Sequence, residues 1–410
     1  MTDFFYKQLA KASDQEKVGP GQKISVKIDL ALAHDGTGPE ILKNFNEYFI
    51  MDYGREKSGP SRILFTLDHC FPAPTIEARE FQRDICVFAK QHGIRLFKNG
   101  EGVLHQVVAE EEKLWPGMII VGADGHVATA GAFGAIGFSV SAKEFAKEML
   151  AGSHAMVVPE QIIISLEGNM KNHVMARDIA MHIVHNYGNV IKNKAVLLTG
   201  NTIDLLSTSE KMSVCNFLPE GGVATALVLP QSEIKQGEVK KGETKKGDAE
   251  QIDIAINSQE IRPMVAVHGN PSSFTRPSAL ESEEISVAIA GGCSSGRLDD
   301  MKVIAGILEK NKVHPNVTFI ITPGSRKVME SMDKLNISSI LRSAGATIMP
   351  PGCGPCPGKH FGVLCDNDIA ITTTISNKPG RIGAQGAKIY LASPRIVALS
   401  AVNGKITEPE

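Results

Sequence analysis

The chain has 410 residues, of which 42% are hydrophobic and 21% are charged, and its formal net charge at pH 7 is -2. This composition is typical of a soluble globular protein, and so small a net charge gives no field that would attract nucleic acid or an anionic membrane. Single hydrophobic cores stop growing near roughly 250–300 residues, so we expect two or three closely packed domains.

The amino-terminal segment, MTDFFYKQLAKASDQEKVGPGQ, does not have the pattern of a secretory signal. It lacks an apolar stretch followed by a small-residue cleavage site, and no stretch of the chain approaches the roughly 18 apolar residues of a membrane span. We therefore expect a cytoplasmic protein. In that reducing compartment cysteines are usually buried hydrophobes, metal ligands or nucleophiles rather than a disulfide scaffold.

Strand-like and helical segments alternate along the first part of the chain. The runs ISVKIDLALA and RILFTLDH are rich in β-branched residues, and each precedes a helical pattern, PEILKNFNEYFI and TIEAREFQRDICVFAKQHG. This alternation predicts a parallel-sheet α/β architecture, in which the loops at the carboxyl ends of strands carry the ligand chemistry. Polar clusters follow three predicted strands, at His34-Asp35, Asp68-His69 and 124–126.

Residues 231–250, QSEIKQGEVKKGETKKGDAE, interrupt this alternation. Lys, Glu and Gly dominate the segment, which offers almost nothing to bury and therefore predicts a solvated connector. Strand-then-loop patterns resume after it in EISVAIAGGCSSG, NVTFIITPGS, ATIMPPGCGPC and DIAITTTISN. We therefore predict an α/β region over residues 1–230 and a further α/β domain over residues 251–410.

Three of the seven cysteines lie in glycine-rich loops at predicted strand ends. Cys353 and Cys356 form a C-x-x-C turn in PPGCGPCPGK, where the glycines and a proline allow both sulfurs to face one point, and Cys293 lies in AIAGGCSSGR. The other four lack a partner at ligand spacing and are expected to be buried residues without a chemical role. These four are Cys70, Cys86, Cys215 and Cys365.

The spacing of the cysteines leaves the kind of site open. Zinc, a redox dithiol and an iron-sulfur cluster all use C-x-x-C. A structural zinc site would need a fourth ligand such as His360 and tetrahedral closure. A 4Fe-4S cluster held by three cysteines would instead leave one iron open to substrate.

Histidines at or near predicted strand ends favour acid-base chemistry. His69 and His126 each lie within two residues of an aspartate, His105 lies in GVLHQ, and LPEGG places Glu220 near Asn216. A neighbouring carboxylate fixes the tautomer of an imidazole and raises its basicity. Each residue by itself is more often structural, so the hypothesis of a catalytic set depends on their combination.

Eight segments in one order resemble the aconitase superfamily. Within it the chain is most similar to the stand-alone large subunits of 3-isopropylmalate dehydratase and homoaconitase, from about residue 5 to about residue 405. The segments are KIDLALAHDGTGP, LDHCFPAPT, GVLHQVV, GADGHVATAGAFGAIGF, MSVCNFLPEGG, GGCSSGRLDD, PGCGPCPG and SNKPGR.

The resemblance implies aconitase-like three-layer α/β/α domains packed around a 4Fe-4S cluster, with residues 1–230 forming part of two intertwined domains. It implies that Cys293, Cys353 and Cys356 ligate the cluster. The implied acid-base residues are Asp68, His69, His105, Asp124, His126 and Glu220. The implied substrate-binding residues are His34, Asn216, Asn377, Lys378 and Arg381.

Two departures from the family pattern bear on the substrate. The family's Asp-Ser-His is Asp124-Gly125-His126 here, which removes a hydroxyl that hydrogen-bonds substrate. The family's Asn-Arg motif, with a second arginine after it, is here Asn377-Lys378-Pro379-Gly380-Arg381, two residues shorter. Arginine holds a carboxylate with a two-pronged fork whereas lysine acts as a point charge, so the exchange is not conservative.

The resemblance implies the large catalytic subunit of a hydro-lyase that dehydrates and rehydrates a small 2-hydroxy di- or tricarboxylic acid. The alternatives are a homoaconitase, citramalate or dimethylmalate dehydratase subunit, a catalytically silent cluster-sensing binding protein, and a zinc-binding structural protein. The sequence lacks a counterpart of the family's mobile swivel domain, which carries the catalytic base. The resemblance therefore implies a small swivel-domain subunit as partner, and no nucleic-acid or membrane partner is expected.

Overall fold

The computed structural model describes residues 3–51, 62–98, 100–230 and 253–410 of the chain. The connector predicted at 231–250 lies outside these residues. Within them, no helix is both long and apolar enough to cross a membrane.

The described residues form strands and helices that alternate along much of the chain. The strands are β1 (Lys23–Lys27), β2 (Leu30–His34), β3 (Ile63–Thr66), β4 (Arg95–Phe97), β5 (Ile119–Gly122), β6 (Ile136–Ser139), β7 (Ser153–Val157), β8 (Gln161–Glu167), β9 (Ala195–Thr199), β10 (Thr225–Val228), β11 (Asp253–Asn257), β12 (Val265–Ala266), β13 (Phe274–Thr275), β14 (Val287–Gly291), β15 (Thr318–Thr322), β16 (Thr347–Ile348), β17 (Ile369–Thr372) and β18 (Lys388–Leu391).

The helices connect and cover these strands. They are α1 (Phe4–Ala12), α2 (Gly38–Met51), α3 (Ile76–Gln91), α4 (Leu104–Glu111), α5 (Ala142–Ala151), α6 (Ala176–Ile191), α7 (Asn201–Leu205), α8 (Thr208–Phe217), α9 (Gly292–Ser295), α10 (Leu298–Leu308), α11 (Arg326–Lys334), α12 (Ile337–Ser343) and α13 (Pro394–Asn403).

The strands form three larger sheets and one antiparallel pair. A five-stranded sheet has the order β4-β3-β2-β5-β6, and a four-stranded sheet has the order β10-β9-β8-β11; both are parallel throughout. A seven-stranded sheet has the order β13-β12-β18-β17-β14-β15-β16, with β12 and β13 antiparallel at one edge. Strands β1 and β7 form the antiparallel pair.

Helices cover both faces of the five-stranded sheet because successive side chains of a strand point to opposite faces. All five residues of β2 are buried. Leu30 and Leu32 pack into one cluster with residues of α4, whereas Ala31 and Ala33 pack into another with residues of α2, α3 and α5. The helix-sheet-helix layering predicted for the chain is therefore present here.

The seven-stranded sheet is packed in the same way. Ala288 and Ala290 of β14 face a cluster that includes residues of α10 and α13, whereas Ile289 faces a second cluster that includes residues of α6. The prediction of an α/β fold is thus confirmed.

One predicted strand, ISVKIDLALA, is wrong as a single element. It divides into β1 and β2, which join different sheets, because the backbone N–H groups of Ile28 and Asp29 donate to the carbonyls of Gly152 and Ile119 where the chain passes between them. The division of the chain into residues 1–230 and 251–410 stays a prediction. Strand β11, the first described element after the predicted connector, pairs with β8 of the four-stranded sheet.

The close packing of Gly291 at the end of β14 gives a test of this fold. Gly291 has a φ of 122°, and a Cβ atom there would overlap the carbonyl oxygen of Thr322 on β15. We expect Gly291→Ala to destabilise the protein by about 2–4 kcal/mol, since it adds both strain and a backbone clash. Thermal denaturation should show a midpoint lower by roughly 4 °C or more.

Gly306→Ala is the matched control. Gly306 lies within α10, and a Cβ atom there would meet nothing within 4 Å. This substitution should be neutral or stabilising by up to about 1 kcal/mol, because alanine favours the helix over glycine. Equal midpoints for the two variants would contradict the packing of β14 against β15.

Candidate active site

The predicted functional residues meet where strands of two sheets end. His34 ends β2, Asp68 and Asp124 follow β3 and β5 in the five-stranded sheet, and Cys293 follows β14 in the seven-stranded sheet. The carboxyl ends of neighbouring parallel strands open at one edge of their sheet, which is where α/β proteins bind ligands. A backbone hydrogen bond of 3.0 Å from Cys353 N to Asp68 O joins the two groups of loops.

Asp124 is the centre of a cluster of imidazoles. Its Oδ1 lies 2.8 Å from His105 Nε2 and 3.4 Å from His126 Nδ1, and its Oδ2 lies 3.2 Å from His34 Nε2. The backbone N–H of His126 also donates to Oδ1, at 2.6 Å. Burial alone would raise the pKa of Asp124, but the charges and hydrogen bonds of these histidines hold it well below its ordinary value. The carboxylate is therefore ionised, and it orients three rings.

The backbone N–H of Gly36 determines which ring nitrogen of His34 carries the proton. The N–H of Gly36 donates to His34 Nδ1 at 3.0 Å, so Nδ1 carries no proton and the ring proton lies on Nε2, facing Asp124. The His34 ring also stacks on the ring of His69, with centroids 3.9 Å apart and planes 7° from parallel. The predicted substrate-binding His34 thus connects the Asp124 cluster to His69.

Asp68 and His69 form the second acid-base pair. His69 Nδ1 lies 2.7 Å from Asp68 Oδ1, and Asp68 Oδ2 accepts the N–H of Leu104 at 2.7 Å. Burial lowers the pKa of His69, but the charge of Asp68 and the hydrogen bond to it outweigh that effect and raise the pKa to about 9. His69 is therefore an imidazolium at neutral pH. Among the described residues no hydrogen bond engages its Nε2.

His126 lies between two carboxylates. Its Nδ1 faces Asp124, and its Nε2 lies 3.5 Å from Glu220 Oε1. Burial would lower the pKa of His126, but hydrogen bonds to Asp124 and Glu220 raise it to about 10. The predicted acid-base set is therefore brought together, and two of its histidines hold protons that they can donate.

Asp35 is a member of the site that sequence reasoning did not include. Its Oδ1 accepts the backbone N–H groups of Asp68 and His69 at 3.1 and 2.8 Å, and its Oδ2 accepts that of Cys70 at 3.1 Å. Asp35 thereby holds the turn that presents His69 to the site. Its place directly after His34, at a strand end, was the signal that could have identified it.

The three predicted ligand cysteines lie in neighbouring loops, and each is close to the acid-base cluster or to a cation. A Cβ atom at Gly292, beside Cys293, would lie 3.6 Å from the carbonyl oxygen of Cys353. Cys353 Sγ lies 3.7 Å from His69 Nδ1, and Cys356 Sγ lies 3.7 Å from Arg381 Nη2. Cys353 is buried, Cys293 and Cys356 are half-buried, and all three thiols are free.

The spacing of these sulfurs is wider than one metal ion requires. Among the described residues, the sets of three or more ligand atoms within 4.8 Å of one another contain only histidines and aspartates, and no cysteine. Ligands of a single tetrahedral zinc lie about 2.0–2.3 Å from the metal and so within about 4 Å of one another. His360 is also turned away, since its Nε2 lies 3.0 Å from the carbonyl oxygen of Pro72. Among the described residues, the three cysteines therefore do not form a site for a single tetrahedral ion.

The four cysteines expected to be buried differ in exposure. Cys215 is buried in α8, and burial raises its pKa to about 12, whereas Cys70 and Cys86 are half-buried. The expectation is wrong for Cys365, which is exposed. Cys365 lies in a surface turn where its N–H donates to Asp368 Oδ2 at 2.8 Å, so the turn keeps the thiol outside the core.

The predicted substrate-binding residues occupy different environments. Asn216 Nδ2 donates to Thr129 Oγ1 at 2.9 Å, and its side chain also bonds the thiol of Cys293. Asn377 is buried, and its Nδ2 donates to the carbonyl of Val267 at 2.6 Å. The two cations of the shortened loop differ in exposure. Lys378 is exposed, whereas Arg381 is half-buried beside Cys356.

The position of His126 predicts an unusual titration. Because hydrogen bonds to two carboxylates favour the charged ring, His126 should stay protonated at pH 8 and lose its proton only near pH 10. Glu220→Gln removes one of those negative charges and should lower the pKa. Carbon-13 NMR of histidine-labelled, cluster-free protein measures both titrations.

Glu148→Gln is a matched control for this titration. Glu148 pairs with His154, whose Nδ1 lies 2.7 Å from Glu148 Oε1, and it has no part in the Asp124 cluster. This variant should leave the His126 signal unchanged. A neutral His126 ring at pH 8 in the parent protein would contradict the described hydrogen bonds.

Comparisons with known proteins identify relatives that match nearly the whole chain. The chain is 34% identical to the probable methanogen homoaconitase large subunit of Methanothermobacter thermautotrophicus, over 98% of this chain and 96% of that protein. It is 33% identical to 3-isopropylmalate dehydratase large subunit 1 of Thermotoga maritima, over 98% of this chain and 99% of that protein. It is 32% identical to the homoaconitase large subunit of Thermus thermophilus, over 98% of this chain and 97% of that protein.

The fold has a counterpart among solved structures. The holo-form of Thermococcus kodakaraensis aconitase X superposes with a TM-score of 0.52 at 13% identity, covering 88% of this chain and 87% of that one. At so low an identity the likeness concerns the fold alone. The sequence profile of the aconitase family (aconitate hydratase) matches residues 6–276 and 241–404. The chain therefore belongs to the aconitase family.

Proposed function

We propose that this chain is the large catalytic subunit of a hydro-lyase that dehydrates and rehydrates a small 2-hydroxy di- or tricarboxylic acid. The observation that carries this proposal is the meeting of three cysteine loops with two protonated histidines at one edge of the sheets. The names of the relatives support the reaction class, since they are dehydratase and homoaconitase large subunits. The range of those names leaves 3-isopropylmalate, homoaconitate and related acids as the substrate class.

The cysteines would hold a 4Fe-4S cluster. Cys293, Cys353 and Cys356 have free thiols in adjoining loops, and their sulfurs are spread more widely than one metal ion requires. When bound, such a cluster supplies an iron that three cysteines leave open, a Lewis acid for the hydroxyl and a carboxylate of the substrate. The reducing cytoplasm, where we place the protein, would keep these thiols free.

The chain's own part in the reaction is to hold protons at the site. His69 is an imidazolium whose Nδ1 bonds Asp68, so its Nε2 proton is free to go to a departing hydroxide. Delivery of that proton turns hydroxide, a poor leaving group, into water. His126 holds a second proton between Asp124 and Glu220.

Cations near the cysteines would bind the substrate carboxylates, and a neighbouring amide would bind the substrate hydroxyl. Arg381 lies beside Cys356, and its Nε has no hydrogen-bond partner among the described residues, so the guanidinium retains capacity for a ligand. Asn216 has an Oδ1 without a partner there, and this acceptor would take a hydrogen bond from the substrate hydroxyl. Lys378, four residues after the buried Thr374, would act as a second, more exposed cation.

The base that removes a proton from the substrate would come from a small swivel-domain subunit. Both perturbed histidines of the site hold protons, so neither is poised to accept one. The relatives are named large subunits, and this chain matches 96 to 99% of their lengths. A separate small chain that closes over the cluster would complete the site.

The ligand assignment predicts which cysteines are needed for the cluster. Replacement of Cys293, Cys353 or Cys356 by serine should abolish the broad brown absorption of the cluster after anaerobic reconstitution. Each of these variants lacks one of the three cysteine ligands that would hold the cluster. Cys365→Ser is the control, since that thiol is exposed in a surface turn. The measurements are the visible spectrum and the iron content. A full cluster signal in the Cys293 variant would refute the assignment.

The partner and substrate assignments predict a second result. The reconstituted chain with its small subunit should turn over at least one of isopropylmalate, citramalate, dimethylmalate and homocitrate, followed by the ultraviolet absorbance of the unsaturated acid. Without the small subunit the rate should fall by about a hundredfold or more, the contribution typical of a general base. Equal rates for the chain alone would contradict the proposed partner.

A second candidate function is a cluster-binding protein without efficient turnover. Gly125 favours it, because the hydroxyl that the family places there is absent. A Cβ atom at Gly125 would meet nothing within 4 Å, so the position has room for a serine. This candidate would be favoured if the fully reconstituted complex turned over none of these acids and if Gly125→Ser gave it activity.

A further inference from the structure

Two arginines are buried behind residues 291–297, which include the short helix α9 and are called the Cys293 loop. Arg297 and Arg177 are each only 2% exposed, and Arg297 is among the largest fully buried side chains of the described residues. A guanidinium stays charged in proteins, and burying a charge is costly unless it is paired and hydrogen-bonded. The site described above uses neither residue, so their placement needs a reason.

Arg297 binds the backbone of the Cys293 loop directly. Its Nη2 donates to the carbonyl oxygen of Cys293 at 2.7 Å, and its Nη1 donates to that of Ser294 at 3.0 Å. Nη1 also donates to Ser213 Oγ at 3.0 Å, which connects the loop to α8. One rigid fork therefore holds two successive carbonyls of the loop and one neighbouring helix.

Arg177 secures the segment on which this loop rests. Its Nη2 donates to the carbonyl oxygen of Thr374, and its guanidinium lies 4.8 Å from the ring centroid of Phe217. Ser294 Oγ donates to the carbonyl of Thr373, and the N–H of Gly291 donates to Thr373 Oγ1 at 3.0 Å. The Cys293 loop is thus held by Arg297 on one side and by the segment bonded to Arg177 on the other.

The charges of these arginines also act on the ligand. The charge of Arg297 interacts first with Asp300 and then with the Cys293 thiol, and that of Arg177 interacts first with Asp178 and then with Cys293; the pKa of Arg177, lowered by burial, is still about 10. Buried positive charge lowers the energy of nearby negative charge more strongly than exposed charge does. Fixed cations behind a thiolate ligand therefore stabilise the reduced, more negatively charged states of the metal group that the thiolate binds.

We propose that Arg297, braced by Arg177, is a positioning residue for Cys293: it fixes the ligand loop through two carbonyls and places positive charge behind the cluster. The positioning role concerns this chain alone, whereas the charge role rests on the cluster of the proposed function. The two roles predict different behaviour for a substitution that keeps the charge and for one that removes it.

The first test measures loop order in cluster-free protein by hydrogen-deuterium exchange. Arg297→Gln and Arg297→Lys should both speed the exchange of amides between Gly291 and Arg297 by roughly tenfold, since neither side chain reproduces the fork and a lost charged hydrogen bond is worth about 1.5–3 kcal/mol. Arg262→Gln is the matched control. Arg262 also donates to two carbonyls, of Gln259 and Ile261, and its loss should leave the Cys293 loop unchanged.

The second test measures the midpoint reduction potential of the reconstituted cluster. Arg297→Gln should shift it to a more negative value, because the reduced cluster loses a buried cation, whereas Arg297→Lys should stay close to the parent. A side chain that only stabilises the fold would shift neither potential in this charge-dependent way. Should Arg297→Gln fail to fold by circular dichroism, the Arg297→Lys exchange measurement still decides the positioning role.

Unchanged exchange of the Cys293 loop in both variants would overturn the positioning role. Equal potentials for Arg297→Gln and the parent would overturn the charge role. Failure of the parent protein to take up any cluster would refute the proposed function instead, while exchange in the cluster-free protein would still decide whether Arg297 holds the loop.

Discussion

The buried carboxylate of Asp124 is the interaction on which the rest of the site depends. Three histidines from three parts of the chain, His34, His105 and His126, have ring nitrogens within 3.4 Å of it. An isolated carboxylate in such a position would cost several kcal/mol or become protonated. Hydrogen bonds from the imidazoles offset the free-energy cost of burying the ionised carboxylate. The same hydrogen bonds orient each ring. Loss of Asp124 would release all three rings together.

The strand ends convert this pairing into an extended site. His34 connects Asp124 to His69 by ring stacking, and Asp35 holds the turn of His69 with three backbone hydrogen bonds. His69 and His126 then hold protons at neutral pH within neutral or acidic pairs. The capacity for acid catalysis therefore has one physical origin, which is the pairing of each imidazole with a buried carboxylate.

The cysteine loops come from a different sheet, and the contacts between the sheets place them against the acid-base cluster. The N–H of Cys353 donates to the carbonyl of Asp68, and the Cys353 thiol lies beside His69. Behind Cys293 the buried guanidinium of Arg297 binds the loop backbone. The chain belongs to the aconitase family, and its own contacts account for the geometry of these features.

The sequence by itself determined the α/β class, the position of polar residues at strand ends, and the position of three cysteines in glycine-rich segments after strands. These are local signals, which periodicity and composition reveal directly. It could not determine which side chains meet. Asp124 was expected to pair with its neighbour His126, yet it also contacts His34 and His105, and Asp35 was not recognised as the residue that holds the turn of His69. These contacts depend on the strand order β4-β3-β2-β5-β6 and on packing between sheets. Only the tertiary structure decides them, because they join residues that are distant along the chain.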